Sequence, residues 1–115
     1  MVARPSRRKF PRISTDNVVL VTTVGDADAE QLARTRNVSL GGCQVMVDRH
    51  LHRGTLVQIL VRVGDQVVDA LGRVVYELRK GEAVEAGIEF LYLSEPDRRR
   101  LESVLASDRN GANAD

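Results

Sequence analysis

The chain reads as an all-β protein, a small antiparallel barrel or sandwich of six strands with one C-terminal helix and a basic N-terminal arm. Three observations predict this. Six short runs rich in Val, Ile, Leu and Thr follow one another, several with the apolar–polar period of two that a half-buried strand requires. Turn signals containing glycine separate them. Only one segment, near the C-terminus, carries apolar residues at helical spacing.

Residues 1–12 form the arm, expected to be extended and flexible, because Pro5 and Pro11 oppose a helix and no apolar periodicity is present. The first strand is Val18-Val19-Leu20-Val21-Thr22-Thr23-Val24, β-branched almost throughout and ended by Gly25-Asp26-Ala27-Asp28. A second, more polar strand covers Leu32 to Val38, and the turn Ser39-Leu40-Gly41-Gly42 leads to a third from Cys43 to Val47. After His50-Leu51-His52-Arg53-Gly54, a fourth runs from Thr55 to Val63. It sets Val57, Ile59, Val61 and Val63 on one face against Gln58 and Arg62 on the other. Gly64-Asp65 turns the chain into a fifth strand, Gln66 to Leu78, where Val68, Ala70, Val74, Tyr76 and Leu78 are expected to point inward. Gly72 interrupts that row and predicts a bend or bulge. Beyond Lys80-Gly81-Glu82, the residues Val84, Ala86, Ile88, Phe90 and Tyr92 supply the inward row of the sixth strand.

The helix begins at Ser94, a good N-cap, with Pro96 and Asp97 in the first turn and Leu93 as a staple before it. Leu101, Val104 and Leu105 make one narrow apolar stripe, by which the helix should dock, and Arg98, Arg99 and Arg100 take the solvated sides. Barrel and helix together occupy residues 13–106. Residues 107–115, small and polar, are expected to form a disordered tail.

A length of 115 residues suits one domain. Against 16 Asp and Glu stand 17 Lys and Arg, a net charge of +1 that excludes a bulk polyanion binder. The distribution is uneven: Arg4, Arg7, Arg8, Lys9 and Arg12 all precede the first acid, Asp16. Cys43 is the only cysteine, which excludes an internal disulfide and a multi-cysteine metal site, and it reads as a small apolar filler. No signal-peptide pattern opens the sequence, and no segment approaches the roughly 20 apolar residues needed to span a bilayer, so a cytoplasmic location is expected.

Two stretches carry the chemistry. Arg7-Arg8-Lys9-Phe10-Pro11-Arg12 has the pattern R-R-x-x-x-R, and Asn37-Val38-Ser39-Leu40-Gly41-Gly42 has the pattern N-x-S-x-x-G. Guanine exposes two acceptors, N7 and O6, along one edge, and the planar guanidinium fork matches that edge bidentately. The same fork suits a phosphodiester, whereas lysine supplies charge without the planar match. Arginines on an arm, facing a small polar turn, therefore suit a ligand made of guanines and phosphates.

Taken together, in that order, the two patterns resemble the PilZ domain, a family whose members are mostly bacterial receptors for cyclic di-GMP. Gly87-Ile88-Glu89-Phe90 is similar to the family's G-x-x-F stretch in a late strand, and the resemblance runs from Arg7 to about Ala106. It implies a six-stranded antiparallel β-barrel with the helix at its side, a choice between barrel and sandwich that periodicity leaves open. It also implies that Arg8 and Arg12 grip guanine and phosphate from the arm. Asn37 and Ser39 then hydrogen-bond the ligand from the rim, Gly41 lies in the same turn, and Gly42 lets the backbone approach closely. Arg7, just before the R-x-x-x-R core, implies an intercalated pair of cyclic di-GMP molecules. Asn37 stands where many members carry aspartate, keeping acceptor capacity and dropping the charge.

The expected function is thus a stand-alone receptor with no cofactor besides its ligand, whose arm orders on binding and signals to an unidentified partner protein. The alternative is an adaptor of the same fold that binds proteins without nucleotide. An enzyme is not expected. Ser39 lacks a G-x-S-x-G elbow, His50 and His52 offer two metal ligands with no third, and Asp48, Asp65, Asp69 and Glu89 fall at different strand ends. With 3% aromatic residues and no Trp, there is no stacking platform for single-stranded nucleic acid.

Overall fold

The β-branched runs become strands whose inward rows close on one another. The computed structural model describes the backbone of residues 13–14, 18–25, 30–63 and 65–113 and the side chains of 18–25, 30–62 and 65–106. The arm, residues 1–12 with Arg7, Arg8 and Arg12, lies outside the described residues. In chain order the elements are β1 (Ile13–Ser14), β2 (Val18–Thr23), β3 (Glu30–Val38), β4 (Gly42–Val47), β5 (Leu56–Val63), β6 (Gln66–Lys80), β7 (Ala83–Leu93) and α1 (Glu95–Asn113).

Six of these strands pair antiparallel in the order β3-β2-β5-β6-β7-β4, and β4 returns to β3, which closes the expected barrel. Closure leaves the Val-rich strands without an open edge. The two-residue β1 pairs with the end of β3 on the same edge that β2 occupies further along, across from β4, with Ile13 opposite Val38 and Ser14 opposite Asn37.

The core is built of short branched side chains, as the narrow interior of a small barrel requires. Val19, Val21, Val45, Val57, Ile59, Val61, Val68 and Val74 are all fully buried, so the alternation in the fourth sequence run is observed as expected at Val57, Ile59 and Val61, while the side chain of Val63 lies outside the described residues. Leu101 and Leu105 of α1 join the same core, with Val104 packed against it. Ser94 caps this helix: its Oγ accepts from the Asp97 amide at 3.3 Å and donates to Asp97 Oδ2 at 2.8 Å. No described helix is long and apolar enough to cross a membrane.

Two expectations are corrected, the inward rows of β6 and of β7. Tyr76, Leu78 and Tyr92 do not continue the inward rows. The β6–β7 ladder shifts register at Leu71/Gly72, the position where a bulge was predicted, and again at Val74/Tyr76. The extra residue is Leu91 on β7 at the first shift and Val75 on β6 at the second, and only the strand that carries it changes face beyond it, because side chains alternate with period two. Leu78 is consequently 52% exposed and Tyr92 64% exposed, while Tyr76 reaches polar partners on the outer face. Helical backbone spans Glu95–Asn113. Once a helix is nucleated and docked, each added residue gains a backbone hydrogen bond, and no proline stands in the way beyond the first turn.

Candidate functional site

The N-x-S-x-x-G stretch is held by its apolar positions. Val38 is fully buried and Leu40 packs against the core, so Ser39 between them is fixed at the rim where β3 hands over to β4. The turn then closes on itself: the Ser39 amide donates to the Gly42 carbonyl at 2.8 Å, and the Gly41 amide donates to Ser39 Oγ at 3.1 Å. The Ser39 hydroxyl hydrogen bonds the Gly42 carbonyl at 3.4 Å, a long contact that a phosphate oxygen could replace. The Phe90 amide, on β7, donates to the Gly41 carbonyl at 2.9 Å and ties the turn to the neighbouring strand.

Gly42 is required by the barrel before any ligand is considered. A Cβ there would lie 2.1 Å from the Ile88 carbonyl oxygen and 3.1 Å from Glu89 Cα. The close backbone approach expected at this glycine is therefore first of all an approach of β4 to β7.

Asn37 is half-buried on the outer face, opposite Gln44 in the β3–β4 ladder and just past a register shift between Thr35 and Asn37. That irregularity leaves Arg36 out of the ladder and exposed, with its guanidinium 3.9 Å from Met46 Sδ. Arg36 is one basic group beside the turn that sequence reasoning did not single out. The Asn37 amide nitrogen donates to Gln44 Oε1, and Gln44 Nε2 donates to the Tyr76 hydroxyl at 2.6 Å. The Tyr76 hydroxyl donates to Glu85 Oε2 at 2.9 Å, and Glu85 is itself buried at 9% exposure. Gln44, Tyr76 and Glu85 were likewise missed. The one signal available was Gln44, the lone polar side chain in the otherwise apolar run Gly42–Val47.

Of the residues expected at the site, Asn37, Ser39, Gly41 and Gly42 are brought together at one rim. Arg7, Arg8 and Arg12 lie outside the described residues; Ile13 and Ser14, which follow Arg12 in the chain, pair with Val38 and Asn37. An open depression of about 320 Å³, lined by Val18, Leu32, Ala33, Arg34, Met46, Asp48 and Ala83, sits toward the other end of the β3–β4 pair and includes none of the expected residues. Among the described residues no group of three or more His, Cys, Asp or Glu could hold a metal ion.

Comparison with known proteins follows the same lines. The family model described as the PilZ domain matches residues 6–107. No curated protein matches the chain. Among solved structures, Bacillus subtilis Inhibitor of motility (MotI/DgrA) is 16% identical, with a TM-score of 0.76 over 90% of this chain and 52% of its own. YcgR from Escherichia coli, solved in complex with c-di-GMP, is 23% identical with a TM-score of 0.77, over 94% of this chain and 48% of its own. The K. pneumonia MrkH–c-di-GMP complex is 18% identical with a TM-score of 0.72, over 93% and 53%. At these identities the likeness is one of fold, and the chain spans about half the length of each of these three proteins.

Proposed function

This chain belongs to the PilZ domain family, and we propose that it is a receptor for cyclic di-GMP. The nucleotide lies between the arm and the rim: Arg7, Arg8 and Arg12 supply guanidinium forks, while Asn37, Ser39, Gly41 and Gly42 supply the small polar turn. The observation that carries this reading is the β1 register, with Ile13 opposite Val38 and Ser14 opposite Asn37. Arg12 directly precedes Ile13, so chain connectivity starts the arm beside the turn. Arg8 is five residues from Ile13 and can stand at most roughly 18 Å from it, within reach of a dinucleotide seated on the rim. Two bound solved structures of the same fold, YcgR and MrkH, add support by carrying c-di-GMP.

In this reading Arg7 favours an intercalated pair of ligand molecules. Closure of the arm over the nucleotide changes the surface offered to a downstream protein, and the receptor works in the cytoplasm without a further cofactor. Calorimetric titration with cyclic di-GMP tests it. Saturable heat is expected, with Arg8→Ala and Arg12→Ala each weakening binding by about tenfold or more, since a bidentate arginine contact contributes about 1 to 3 kcal/mol. Affinity should fall with added salt, because exposed charge pairs are screened. A flat titration would overturn the receptor reading and leave the nucleotide-independent adaptor.

A further inference from the structure

The polar chain beside the turn has a direction. The Tyr76 hydroxyl has a single proton and donates it to Glu85 Oε2 at 2.9 Å. The Tyr76 oxygen is then left to accept, and it accepts from Gln44 Nε2 at 2.6 Å. With its nitrogen committed to Tyr76, Gln44 turns its carbonyl oxygen toward Asn37 and accepts from the Asn37 amide nitrogen. Asn37 is thereby oriented with its own carbonyl oxygen as the group left for a ligand. Aspartate at this position would need no such help, because its two oxygens are equivalent acceptors, whereas an asparagine amide can present either end.

Glu85 is a buried acidic residue on the face proposed to receive an anionic ligand. We propose that Glu85, acting through Tyr76 and Gln44, fixes the Asn37 amide as an acceptor and so makes this rim selective for a base edge that donates. Guanine presents such an edge in N1–H and N2–H2. Adenine presents an acceptor, N1, beside the N6 donor. Glu85, Tyr76 and Gln44 are positioning residues in this account, and Asn37 is the residue that reads the base. The inference rests on the receptor reading above.

Substitution at position 44 separates orientation from charge. In Gln44→Glu the new carboxylate still accepts from the Asn37 nitrogen, so Asn37 keeps its orientation although negative charge is added. In Gln44→Lys the ammonium can only donate, which turns the Asn37 oxygen away from the ligand although positive charge is added. Charge alone predicts tighter binding of a dinucleotide by Gln44→Lys than by Gln44→Glu; the proposal predicts the reverse. The experiment is titration of the full chain and both variants with cyclic di-GMP and with cyclic di-AMP, after thermal melts establish that each is folded. We expect Gln44→Glu to bind cyclic di-GMP about tenfold more tightly than Gln44→Lys, and Gln44→Lys to lose much of the preference over cyclic di-AMP.

If Gln44→Lys binds cyclic di-GMP as tightly as Gln44→Glu or more so, the positioning role is refuted while the receptor reading stands. If the unsubstituted chain gives no heat, both fail. Should either position-44 variant not fold, Tyr76→Phe carries the test, since it keeps the ring and removes only the hydroxyl. It should weaken cyclic di-GMP binding severalfold, and unchanged affinity overturns the proposal.

Discussion

Tyr76 lies flat over Gly87. The two are cross-strand partners on β6 and β7, and a Cβ added at position 87 would fall 2.0 Å from the ring carbon Cε2 and 2.4 Å from Cδ2. The glycine is thus the floor on which the tyrosine ring rests, and the ring in turn covers a backbone that lacks a side chain of its own. Its hydroxyl is delivered between Gln44 and Glu85 by this stacking.

Gly87→Ala should therefore expel the ring. Overpacking of this kind costs about 1 to 3 kcal/mol, and the ring's removal also breaks the hydrogen-bonded chain that orients Asn37. Urea denaturation should show the loss as a lower midpoint at unchanged slope. Pairing Gly87→Ala with Tyr76→Ala, which clears the obstruction, should give a smaller loss than the sum of the two single variants.

Gly42→Ala meets backbone instead of a movable ring. With the Ile88 carbonyl oxygen 2.1 Å from the added carbon, β4 and β7 must separate locally, and a destabilisation above that of Gly41→Ala is expected, on the order of 2 kcal/mol or more. Comparing the two alanine variants by chemical denaturation checks it. An equal effect would mean that the β4–β7 pair yields easily at the rim.

Glu77 makes stability depend on pH in the acid range. Burial desolvates its carboxyl and by itself raises the pKa, but hydrogen bonds from the Leu51 amide, the His50 ring and the His52 amide, together with the His50 charge, outweigh it and hold the group below its ordinary value of 4.5. The Leu51 amide bond is 2.6 Å and the His50 Nδ1 contact 3.2 Å. A carboxyl depressed in the folded state contributes stability that is complete above its unfolded pKa. That stability is lost as pH falls through 4.5 toward and past the folded value. Glu77→Gln should accordingly flatten the stability profile below about pH 4.5, where the unsubstituted chain loses this contribution. Denaturation midpoints measured between neutral and acid pH decide the matter, and identical slopes in both proteins would contradict it.

Cys43 should be chemically silent while the protein is folded. Burial pushes its thiol pKa up to about 12, so almost no thiolate exists at neutral pH. Reaction with an aromatic disulfide reagent is expected only on unfolding, at a rate that follows denaturant concentration. Rapid labelling of the native protein would show that β4 opens locally.

How much of this was legible beforehand can be judged from particular residues. Val57, Ile59 and Val61 alternate with polar neighbours, and period two is a property of a single strand, so their burial could be read without knowing any partner. Ser94 before Asp97 and the Leu101–Leu105 spacing are equally local, which is why the helix start and its docking stripe were readable. The turn from Asn37 to Gly42 was legible as chemistry, because its residue types and spacing are contiguous.

Local pattern alone therefore specifies six strands, their inward rows as far as Val74 on β6 and Phe90 on β7, a capped helix and a turn of Asn, Ser and Gly. Only the tertiary structure decided that β4 closes on β3, that β1 pairs with Asn37 and Val38, and that Gly42 is held by Ile88. It alone turned Tyr76 outward to meet Gln44, 32 positions earlier in the chain. The reason is physical: a strand's faces follow from its own periodicity, but register, bulges and closure follow from which distant backbone it pairs with. A shift of one residue in that pairing exchanges core for surface.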